Sequence, residues 1–584
     1  MAPKYTLTIL LLLSCLLPGQ NYTWPTDAGH QLSSNFGEFR STGYHLGVDI
    51  KTNGKEGYPV YAVANGHISR MAANFVGFGK VLYLKTEDGK TAVYAHLSRF
   101  SPALEKRLGK EQENKNSYII NQYFQKDEFP VSKADIIGYT GNTGYSSGPH
   151  LHFEIRNNEE HPLNPLTNGF PLDDRISPKL EELAFIPLDN EAWINGSQLP
   201  QTFPLFRDNT GLYHLPDTIN VYGLLGLAIK THDKRQGASN LYQPYEFELF
   251  VDEKPNFALS FERLDYDQMT TVNFVRDYGL ARLNMGNFIK LYSLQHKPAL
   301  PFSPDTTLGI INLKSGYHSL RIIVKDAGGK KAAAVGTLVV KPPFEISARA
   351  IRQTAQTITF EIRALDPEIN LNNIICYSFT TFGFADRKVN ILDSKLINQK
   401  IILTMPRAQV EKSSLQFKAI DGTGGHSLPF HWEKSNLYSD YLTVGVDLKI
   451  SHLEAGIVVQ AQLSQIISED VSLQLKSSEL YQNINLLKIQ PAVFISAPIP
   501  AAAFLNVENI SVLLKGSITR EIQFSLPYKL VVPGTSVSIL SDDKLCSVLT
   551  GENTLVDTTL IWIEAVNKYA PVKSGKLRSR VYQL

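Results

Sequence analysis

Residues 21–185 alternate apolar and polar positions over short runs, a pattern typical of half-buried strands. The runs read VYAVANGHISRM (60–71), GKVLYLKTEDGKTAVYAHL (79–97) and HLHFEIRN (150–157). Residues 87–91, EDGKT, interrupt the second run, and an Asp-Gly step between alternating segments is a strong hairpin signal. This part of the chain is therefore predicted to consist of antiparallel strands.

One segment of this region breaks the alternation. Residues 101–130 begin SPALEKRLGKEQENK and are rich in charged, long side chains with high helix propensity. We expect one or two helices here, inserted into the β framework. The insertion lies between two fragments that carry candidate chemistry, so it is expected to flank the groove and to affect access or substrate choice.

From about residue 186 the chain carries longer alternating runs separated by turns every 8–12 positions, which favours successive β-sandwiches. Examples are residues 315–340, 356–366 and 471–480, and KPPFE (341–345) is a predicted linker. The predicted fold class is mostly β: a small two-sheet β domain with a helical insertion, followed by several antiparallel β-sandwich (Ig-like) domains. The predicted divisions are 1–20, a signal peptide; 21–185, the first domain; 186–342, 343–436 and 437–530, β-sandwiches; and 531–584, a small C-terminal β unit.

The N-terminus reads MAPKYTLTILLLLSCLLPGQ, with one lysine, an apolar run and then a Pro-Gly break. The run is shorter than the roughly 20 residues of a membrane-spanning helix, so it is predicted to be a secretory signal peptide. Leu-Leu-Ser precedes Cys15, which leaves lipid anchoring through Cys15 as an alternative. We expect an exported protein of the periplasm or cell envelope, without a membrane span in the mature chain.

Composition narrows the classes of partner. Lys and Arg number 57 and Asp and Glu number 56, giving a net charge of +1, so no strong field directs the chain to nucleic acid. After Cys15 only Cys376 and Cys546 remain, too few for a disulfide framework. A single bridge between them is one possibility, and two independent buried thiols are the favoured one.

Three fragments of the first domain carry candidate chemistry: YHLGVDIKT (44–52), VYAHLS (93–98) and GPHLHFEI (148–155). On a strand, His150 and His152 share one face, and Leu151 faces the opposite side, toward the core. The pair alone could be two ligands of one metal, a ligand and a proton carrier, or two unrelated residues. Glu154 shares their face, either in packing or in supporting a ligand.

Taken together, the fragments favour a metal site. Zinc accepts imidazole nitrogen and carboxylate oxygen where no thiolate is offered, and a catalytic zinc needs three protein ligands and one open position. The fragments supply more groups than three ligands require. The surplus histidines are candidates to move protons and to stabilise an oxyanion. The candidate residues are His45, Asp49, His96, His150 and His152.

Over residues 30–167 the sequence resembles the lysostaphin-type, LytM-like zinc endopeptidases, which cut peptide bonds in bacterial peptidoglycan. The family pattern is a His-x-x-x-Asp fragment, a later His and a closing His-x-His, in that order. The resemblance implies one Zn²⁺ ion, a small two-sheet fold with a groove over one sheet, and peptidoglycan stem peptides as substrate. It also implies that the metal ligands are His45, Asp49 and His152. By the same resemblance, His150 handles the proton of the attacking water and His96 helps to stabilise the tetrahedral intermediate.

Two other functions remain open at this point. The first domain could be a non-catalytic LytM-like domain that binds peptidoglycan and regulates another cell-wall hydrolase, although such domains usually lack a ligand. The long β region could add an adhesin or scaffold role, and its partner is not predicted. Three glycines near the closing fragment are expected to let the backbone approach an extended peptide: Gly141, Gly144 and Gly148.

Overall fold

The computed structural model describes most of the chain from Tyr22 onward. The predicted signal peptide and Cys15 lie outside the described residues, as does much of the C-terminal end. The described ranges are 22–40, 43–282, 285–294, 308–379, 387–411, 413–434, 438–477, 481–505, 507–524, 528–541, 543–552, 554–555, 557–566 and 581–583.

The first unit, residues 22–170, is built from short strands and one helix of more than three turns. Its elements are β1 (Leu32–Ser34), β2 (Phe39–Arg40), β3 (Gly43–Tyr44), β4 (Val48–Lys51), β5 (Pro59–Tyr61), β6 (Gly66–Ala73), β7 (Lys80–Thr86), β8 (Thr91–Leu97), β9 (Arg99–Phe100), α1 (Pro102–Lys115), β10 (Ile120–Tyr123), β11 (Pro130–Val131), β12 (Ile136–Tyr139), β13 (His150–Arg156) and β14 (Pro162–Leu163).

The strands of this unit form two sheets that enclose one core. The larger sheet has the order β1-β4-β13-β8-β7-β6-β10, and the smaller sheet has the order β5-β12-β9. The EDGKT turn joins β7 to β8 as a hairpin, as predicted. Leu151 and Phe153 of β13 are fully buried and pack in the core with Val60 of β5 and Phe100 of β9. The alternation that buries them turns His150 and His152 toward the opposite face of the large sheet.

The insertion differs in part from the prediction. One helix forms, α1, and the next segment is the edge strand β10, which pairs with β6, so the expectation of a second helix was wrong. The sequence SYIINQYF supplies β-branched and aromatic residues, which favour a strand once β6 offers an unpaired edge. The Tyr118 ring stacks on Phe75 with centroids 4.4 Å apart, so the insertion contacts the loop between β6 and β7.

The second unit, residues 179–340, contains two sheets that pack around one large core. It begins at Lys179, a few residues before the predicted boundary at 186. Its elements are β15 (Lys179–Pro187), β16 (Trp193–Ile194), β17 (Gln201–Pro204), β18 (Phe206–Arg207), β19 (Tyr213–His214), β20 (Ile219–Tyr222), β21 (Leu225–His232), β22 (Glu246–Val251), β23 (Lys254–Ser260), α2 (Val272–Val275), α3 (Tyr278–Arg282), β24 (Ile289–Lys290), β25 (Gly316–Lys325) and β26 (Lys331–Val340).

Two further units follow, each with two four-stranded antiparallel sheets around its own core. These match the prediction of stacked β-sheets, while the division into domains and the Ig-like assignment stay predictions. Residues 346–432 form β27 (Ile346–Gln353), β28 (Thr357–Ala364), β29 (Leu371–Phe379), β30 (Arg387–Lys388), β31 (Asp393–Ile397), β32 (Lys400–Pro406), α4 (Arg407–Val410), β33 (Ser414–Asp421) and β34 (Phe430–Trp432).

The fourth unit and the C-terminal pairs complete the described chain, and the mostly β fold class is confirmed. Their strands are β35 (Val446–Leu453), β36 (Gly456–Leu463), β37 (Asp470–Ser477), β38 (Tyr481–Asn485), β39 (Leu487–Gln490), β40 (Val493–Ile495), β41 (Val507–Lys515), β42 (Thr519–Phe524), β43 (Lys529–Val531), β44 (Val537–Leu540), β45 (Ser547–Thr550), β46 (Thr559–Ile561), β47 (Glu564–Val566) and β48 (Val581–Gln583).

The structure also describes the two remaining cysteines and the helices. Cys376 and Cys546 are free cysteines, so the bridge between them is wrong and the independent thiols are confirmed, although only Cys376 is buried and Cys546 is half-buried. Among the described residues, no helix is both long and apolar enough to cross a membrane.

The first and second units pack against each other closely. Phe36 and Tyr44 of the first unit lie in the core of the second, and Tyr242 of the second lies in the core of the first. Tyr242 also donates a hydrogen bond of 2.7 Å from its hydroxyl to the carbonyl of Leu32 in β1. The second unit therefore supports β1, the strand that pairs with β4 at the candidate site.

Candidate metal centre

Three donor atoms meet on the open face of the large sheet. His45 Nε2 lies 3.0 Å from Asp49 Oδ1, His152 Nδ1 lies 2.9 Å from the same oxygen, and the two nitrogens are 3.1 Å apart. His45 precedes β4, while Asp49 in β4 and His152 in β13 stand opposite each other in the antiparallel register. Directly paired residues share a face, which explains why the sequence brings these two side chains together.

Hydrogen bonds to the far nitrogens fix the protonation of both imidazoles. His45 Nδ1 lies 2.7 Å from the carbonyl oxygen of Asn35, which can only accept, so Nδ1 carries the proton and Nε2 keeps a lone pair. In a neutral His152, Nε2 donates over 2.9 Å to Glu154 Oε1, which leaves a lone pair on Nδ1. Lone pairs of two nitrogens and one carboxylate oxygen thus converge on one point, as the first coordination sphere of a cation requires.

A second pair of histidines flanks this triangle. The rings of His96 and His150 have centroids 4.8 Å apart. His150 Nδ1 donates to the carbonyl of Gly148 over 2.8 Å, and its Nε2 lies 3.6 Å from Asp49 Oδ1. His96 Nδ1 donates to the carbonyl of Thr143 over 2.9 Å. In the neutral form of either side chain Nε2 is therefore the nitrogen without a proton, and that of His150 faces the triangle.

His96 reaches this face through an irregularity in β8. Tyr94 and Leu97 both point into the core although they are three residues apart, so simple alternation fails between them. The pairing of β7 with β8 shifts register here, and His96 has φ of +63°. This left-handed backbone is costly for a residue with a side chain, and such strain concentrates at functional positions. The bulge turns His96 toward His150 and returns Leu97 to the core.

Burial and charge set the protonation of the site. Burial raises the pKa of Asp49, but the adjacent His45 and His152 lower it more, so the net pKa is well below its ordinary value. Burial lowers the pKa of His152, yet the carboxylates of Asp49 and Glu154 outweigh it and raise the pKa to about 9, so near pH 7 Nδ1 carries a proton toward Asp49 that a metal ion binding there must displace. Burial, followed by the charge of His152, lowers the pKa of His96 to about 4, so His96 is neutral near pH 7.

A buried carboxylate and guanidinium support His152 from behind. Glu154 is fully buried and accepts hydrogen bonds of 2.7 and 2.6 Å from Nε and Nη2 of Arg156. The Arg156 guanidinium in turn lies over the rings of Tyr83, at 5.4 Å, and Tyr266, at 5.7 Å. Sequence reasoning left Glu154 between packing and ligand support, and these contacts favour the second role.

Other neighbours were missed by the sequence analysis. Arg40 donates from Nη2 to Ser34 Oγ over 2.6 Å and lies 3.4 Å from Asp49 Oδ2. The Phe78 ring stacks on His152 with centroids 5.3 Å apart. The sequence does not indicate which backbone carbonyl a histidine contacts, as Asn35 shows. The role of Arg40 follows only from its contact with Asp49 in the folded chain.

The expected role of the three glycines was wrong for two of them. A Cβ on Gly141 would come within 2.3 Å of the Ser98 amide nitrogen, and one on Gly144 within 2.3 Å of the Gly79 amide nitrogen. These glycines thus admit the protein's own backbone rather than a peptide. Gly148 has open space around the Cβ position, which leaves its predicted role untested.

The model of a known family matches this region of the sequence. The model of Peptidase family M23 matches residues 43–113 and 110–165. DD-carboxypeptidase/endopeptidase Mpg of Neisseria meningitidis serogroup B is 32% identical over 127 residues, which are 22% of this chain and 23% of that protein. Glycyl-glycine endopeptidase ALE-1 of Staphylococcus capitis is 32% identical over 117 residues, 20% of this chain and 25% of that protein.

Solved structures show the same local likeness. The catalytic domain of lysostaphin from Staphylococcus simulans aligns at 25% identity over 24% of this chain and 90% of that chain, with a TM-score of 0.18. The chain thus spans about a quarter of the length of the curated relatives it matches. Residues 43–165 match the model of Peptidase family M23, and the resemblance to LytM-like peptidases seen in the sequence is confirmed.

Proposed function

We propose that the first unit is a zinc-dependent endopeptidase that hydrolyses peptide cross-links of bacterial peptidoglycan. The observation that carries the proposal is the convergence of three potential metal donors, His45 Nε2, Asp49 Oδ1 and His152 Nδ1, within 3.1 Å of one another. Acceptor atoms this close repel each other unless a proton or a cation lies between them.

The donor set fits zinc. Ligand atoms at roughly 2.0–2.1 Å from a tetrahedral zinc are about 3.3 Å from one another, slightly wider than the triangle here. Two imidazoles and one carboxylate are donors that zinc accepts readily. The ligands would be His45, Asp49 and His152, and both imidazoles already hold the supporting hydrogen bonds that metal-binding histidines use.

Zinc bound here would supply Lewis acidity, which lowers the pKa of a water molecule and polarises a peptide carbonyl. His150 is the residue placed to take the proton from that water. Its Nε2 is an acceptor, because Nδ1 donates to Gly148, and it faces Asp49. Acceptance of a proton at Nε2 turns His150 into the acid that protonates the leaving amine.

His96 stands beside His150 with its Nε2 also unprotonated. The burial that lowers its pKa to about 4 favours an acceptor in the resting state, so we assign His96 first to orienting the attacking water. Stabilisation of the tetrahedral intermediate, the role that the family resemblance implies, requires His96 to carry a proton on Nε2. Movement of the water's proton between His150 and His96 would meet that need, since their rings are adjacent.

The proposed substrate and location follow from the family. The names of the matched relatives, a DD-carboxypeptidase/endopeptidase and a glycyl-glycine endopeptidase, both denote cleavage of peptide bonds. We assign stem peptides of peptidoglycan to the face of the large sheet that carries His45, Asp49 and His152, and export to the periplasm or cell envelope to residues 1–20. Lipid anchoring through Cys15 belongs to the same proposal.

The proposal is tested with the purified full chain and peptidoglycans of defined cross-links. We expect new amino termini to appear with zinc, to stop on chelation and to return when zinc is restored, with mass spectrometry of the released fragments identifying the bond. The catalytic proposal is wrong if no wall type yields fragments while zinc is bound. Binding to peptidoglycan without release would instead support the regulatory alternative.

A further inference from the structure

Three aspartates meet at the junction of the first and second units, away from the M23 site. Asp174 lies in the connection between the units, Asp233 directly follows β21, and Asp326 directly follows β25. One carboxylate oxygen of each lies within 4.8 Å of the other two. The relative exposures are 8% for Asp174, 1% for Asp233 and 3% for Asp326, so all three are buried.

The negative charge of this cluster is not balanced by its protein neighbours. Arg235 Nε donates to Asp174 Oδ2 over 3.2 Å, which offsets one of the three charges. The flanking Lys234 and Lys330 are exposed. One guanidinium cannot offset three carboxylates, so the buried cluster has an excess of negative charge unless a proton or a cation joins it.

Asp233 is the member of the cluster whose whole carboxylate is buried without a hydrogen-bond partner among the described residues. Oδ2 of Asp326 likewise has none among them. Buried polar atoms are nearly always paired, so three unpaired carboxylate oxygens in one cluster require an explanation. Burial, with the charges of Asp174 and Asp326 next, raises the pKa of Asp233 to about 7, which reflects the same excess of negative charge.

We propose that Asp174, Asp233 and Asp326 bind a calcium ion that fastens the second unit to the first. Calcium takes oxygen ligands at roughly 2.3–2.6 Å, so two ligands of one ion are at most about 5 Å apart, as these are. Magnesium keeps several waters in a strict octahedron, and zinc favours nitrogen or sulfur. A buried, all-carboxylate site on three irregular segments therefore fits calcium best.

The turn after β25 forms one side of the cluster. Asp326 begins the hairpin turn DAGGK (326–330), and its Oδ1 accepts a hydrogen bond of 2.9 Å from the Lys330 amide, which fixes the carboxylate. A Cβ on Gly328 would lie 3.2 Å from Asp326 Oδ1 and 3.4 Å from Asp174 Cβ. Gly328 is itself exposed, so the glycine turn covers the cluster on the side that faces solvent.

The position of Asp233 gives the ion a structural role. Its backbone pairs with Tyr242 through hydrogen bonds of 2.8 and 3.0 Å, which close the loop 233–242 at its base. That loop carries the contacts to β1: Tyr242 donates to the Leu32 carbonyl, and Asn240 Nδ2 donates to the Ser33 carbonyl over 3.0 Å. Fixing Asp233 to Asp174 and Asp326 would hold this loop against the strand beside β4.

The test measures calcium binding by isothermal titration calorimetry on the full chain in zinc-containing buffer. We expect one calcium ion per chain, with Kd below about 10⁻³ M, the weak limit for extracellular calcium modules, and weaker binding of magnesium. Asp233→Asn and Asp326→Asn should each abolish this binding. Asp173→Asn is the matched control, because Asp173 is exposed and adjacent in sequence, and it should bind as the wild type does.

Thermal unfolding separates loss of the site from loss of the fold. Added calcium should raise the Tm of the wild type by several degrees and leave the Tm of Asp326→Asn unchanged. In chelator, Asp326→Asn should unfold at or above the wild-type temperature, because the substitution removes repulsion between the carboxylates. Hydrogen exchange in residues 233–243 should slow when calcium is added. The proposal is overturned if the wild type binds no calcium, if both Asn variants keep it, if magnesium is preferred, or if exchange in 233–243 is unchanged.

Discussion

Replacement of Glu154 with glutamine is expected to weaken zinc binding although Glu154 is not a proposed zinc ligand. Glu154 receives hydrogen bonds from His152 Nε2 on one oxygen and from Arg156 on the other. Glutamine keeps one acceptor oxygen and turns an NH₂ group to the second position. The oxygen should remain with the guanidinium of Arg156, which leaves NH₂ facing His152.

That arrangement would move the proton on His152. An NH₂ group requires an acceptor, so Nε2 would lose its proton to Nδ1, and a protonated Nδ1 cannot bind a metal. Loss of such a supporting partner typically costs about 10–100-fold in metal affinity, equivalent to about 1.4–2.7 kcal/mol. The substitution also leaves the buried Arg156 without a charged partner. Full loss of a buried ion-pair partner lowers the free energy of unfolding by about 3–5 kcal/mol. Because glutamine keeps the hydrogen bond to Arg156, the loss here should be about 1–3 kcal/mol.

The assay combines competition against a zinc-binding dye with thermal unfolding in chelator. Glu160→Gln is the control, because Glu160 lies 4.0 Å from Arg156 Nη1 and is 46% exposed, and it should change stability by less than about 1 kcal/mol. Excess zinc should restore turnover to Glu154→Gln, since His96 and His150 are untouched. The reasoning is refuted if Glu154→Gln folds, binds zinc within about twofold of the wild type and still loses turnover.

Other regions offer further tests. Gly144→Ala should lose more than about 1 kcal/mol of stability and much of the turnover, because Gly144 has φ of +76° and adjoins Thr143, whose carbonyl holds His96. Gly148→Ala is the control: the space around its Cβ position is open, so its stability in chemical denaturation should stay within about 0.5 kcal/mol of the wild type. Burial, followed by the charge of Lys488, lowers the pKa of His431 to about 3, so its neutral form stabilises the fold fully above about pH 6.5 and less as the pH falls. His431 is half-buried, so we expect about 1 kcal/mol to be lost between pH 7 and pH 5, and His431→Gln should flatten this dependence in pH-resolved melting; an unchanged slope would contradict the assignment.

The family resemblance implied the ligand triangle, and strand alternation accounts for two of its three residues. Asp49 and His152 lie on strands whose two-residue alternation is clear, so their common face follows from the sequence once the strands are paired. The burial of Leu151 follows from the same alternation and is confirmed. His96 does not obey alternation, and only the bulge with positive φ explains how it joins the site.

The remaining features depend on contacts that are distant in sequence. The strand β10 forms because β6 offers an edge, and helix propensity read locally could not reveal that edge. The glycines were assigned to substrate because their close neighbours, Ser98 and Gly79, lie more than 40 residues away along the chain. The aspartate cluster escaped notice for the same reason, since its members come from three separate turns.

Metal content and turnover, measured side by side in His152→Ala and His150→Ala, test the central claim most directly. His152→Ala should lose zinc and activity together, because it removes one corner of the ligand triangle. His150→Ala should keep zinc at the wild-type level and lose turnover by about 10²–10⁴-fold, the usual contribution of a positioned acid or base. Loss of zinc from both variants, or full turnover in His150→Ala, would contradict the account.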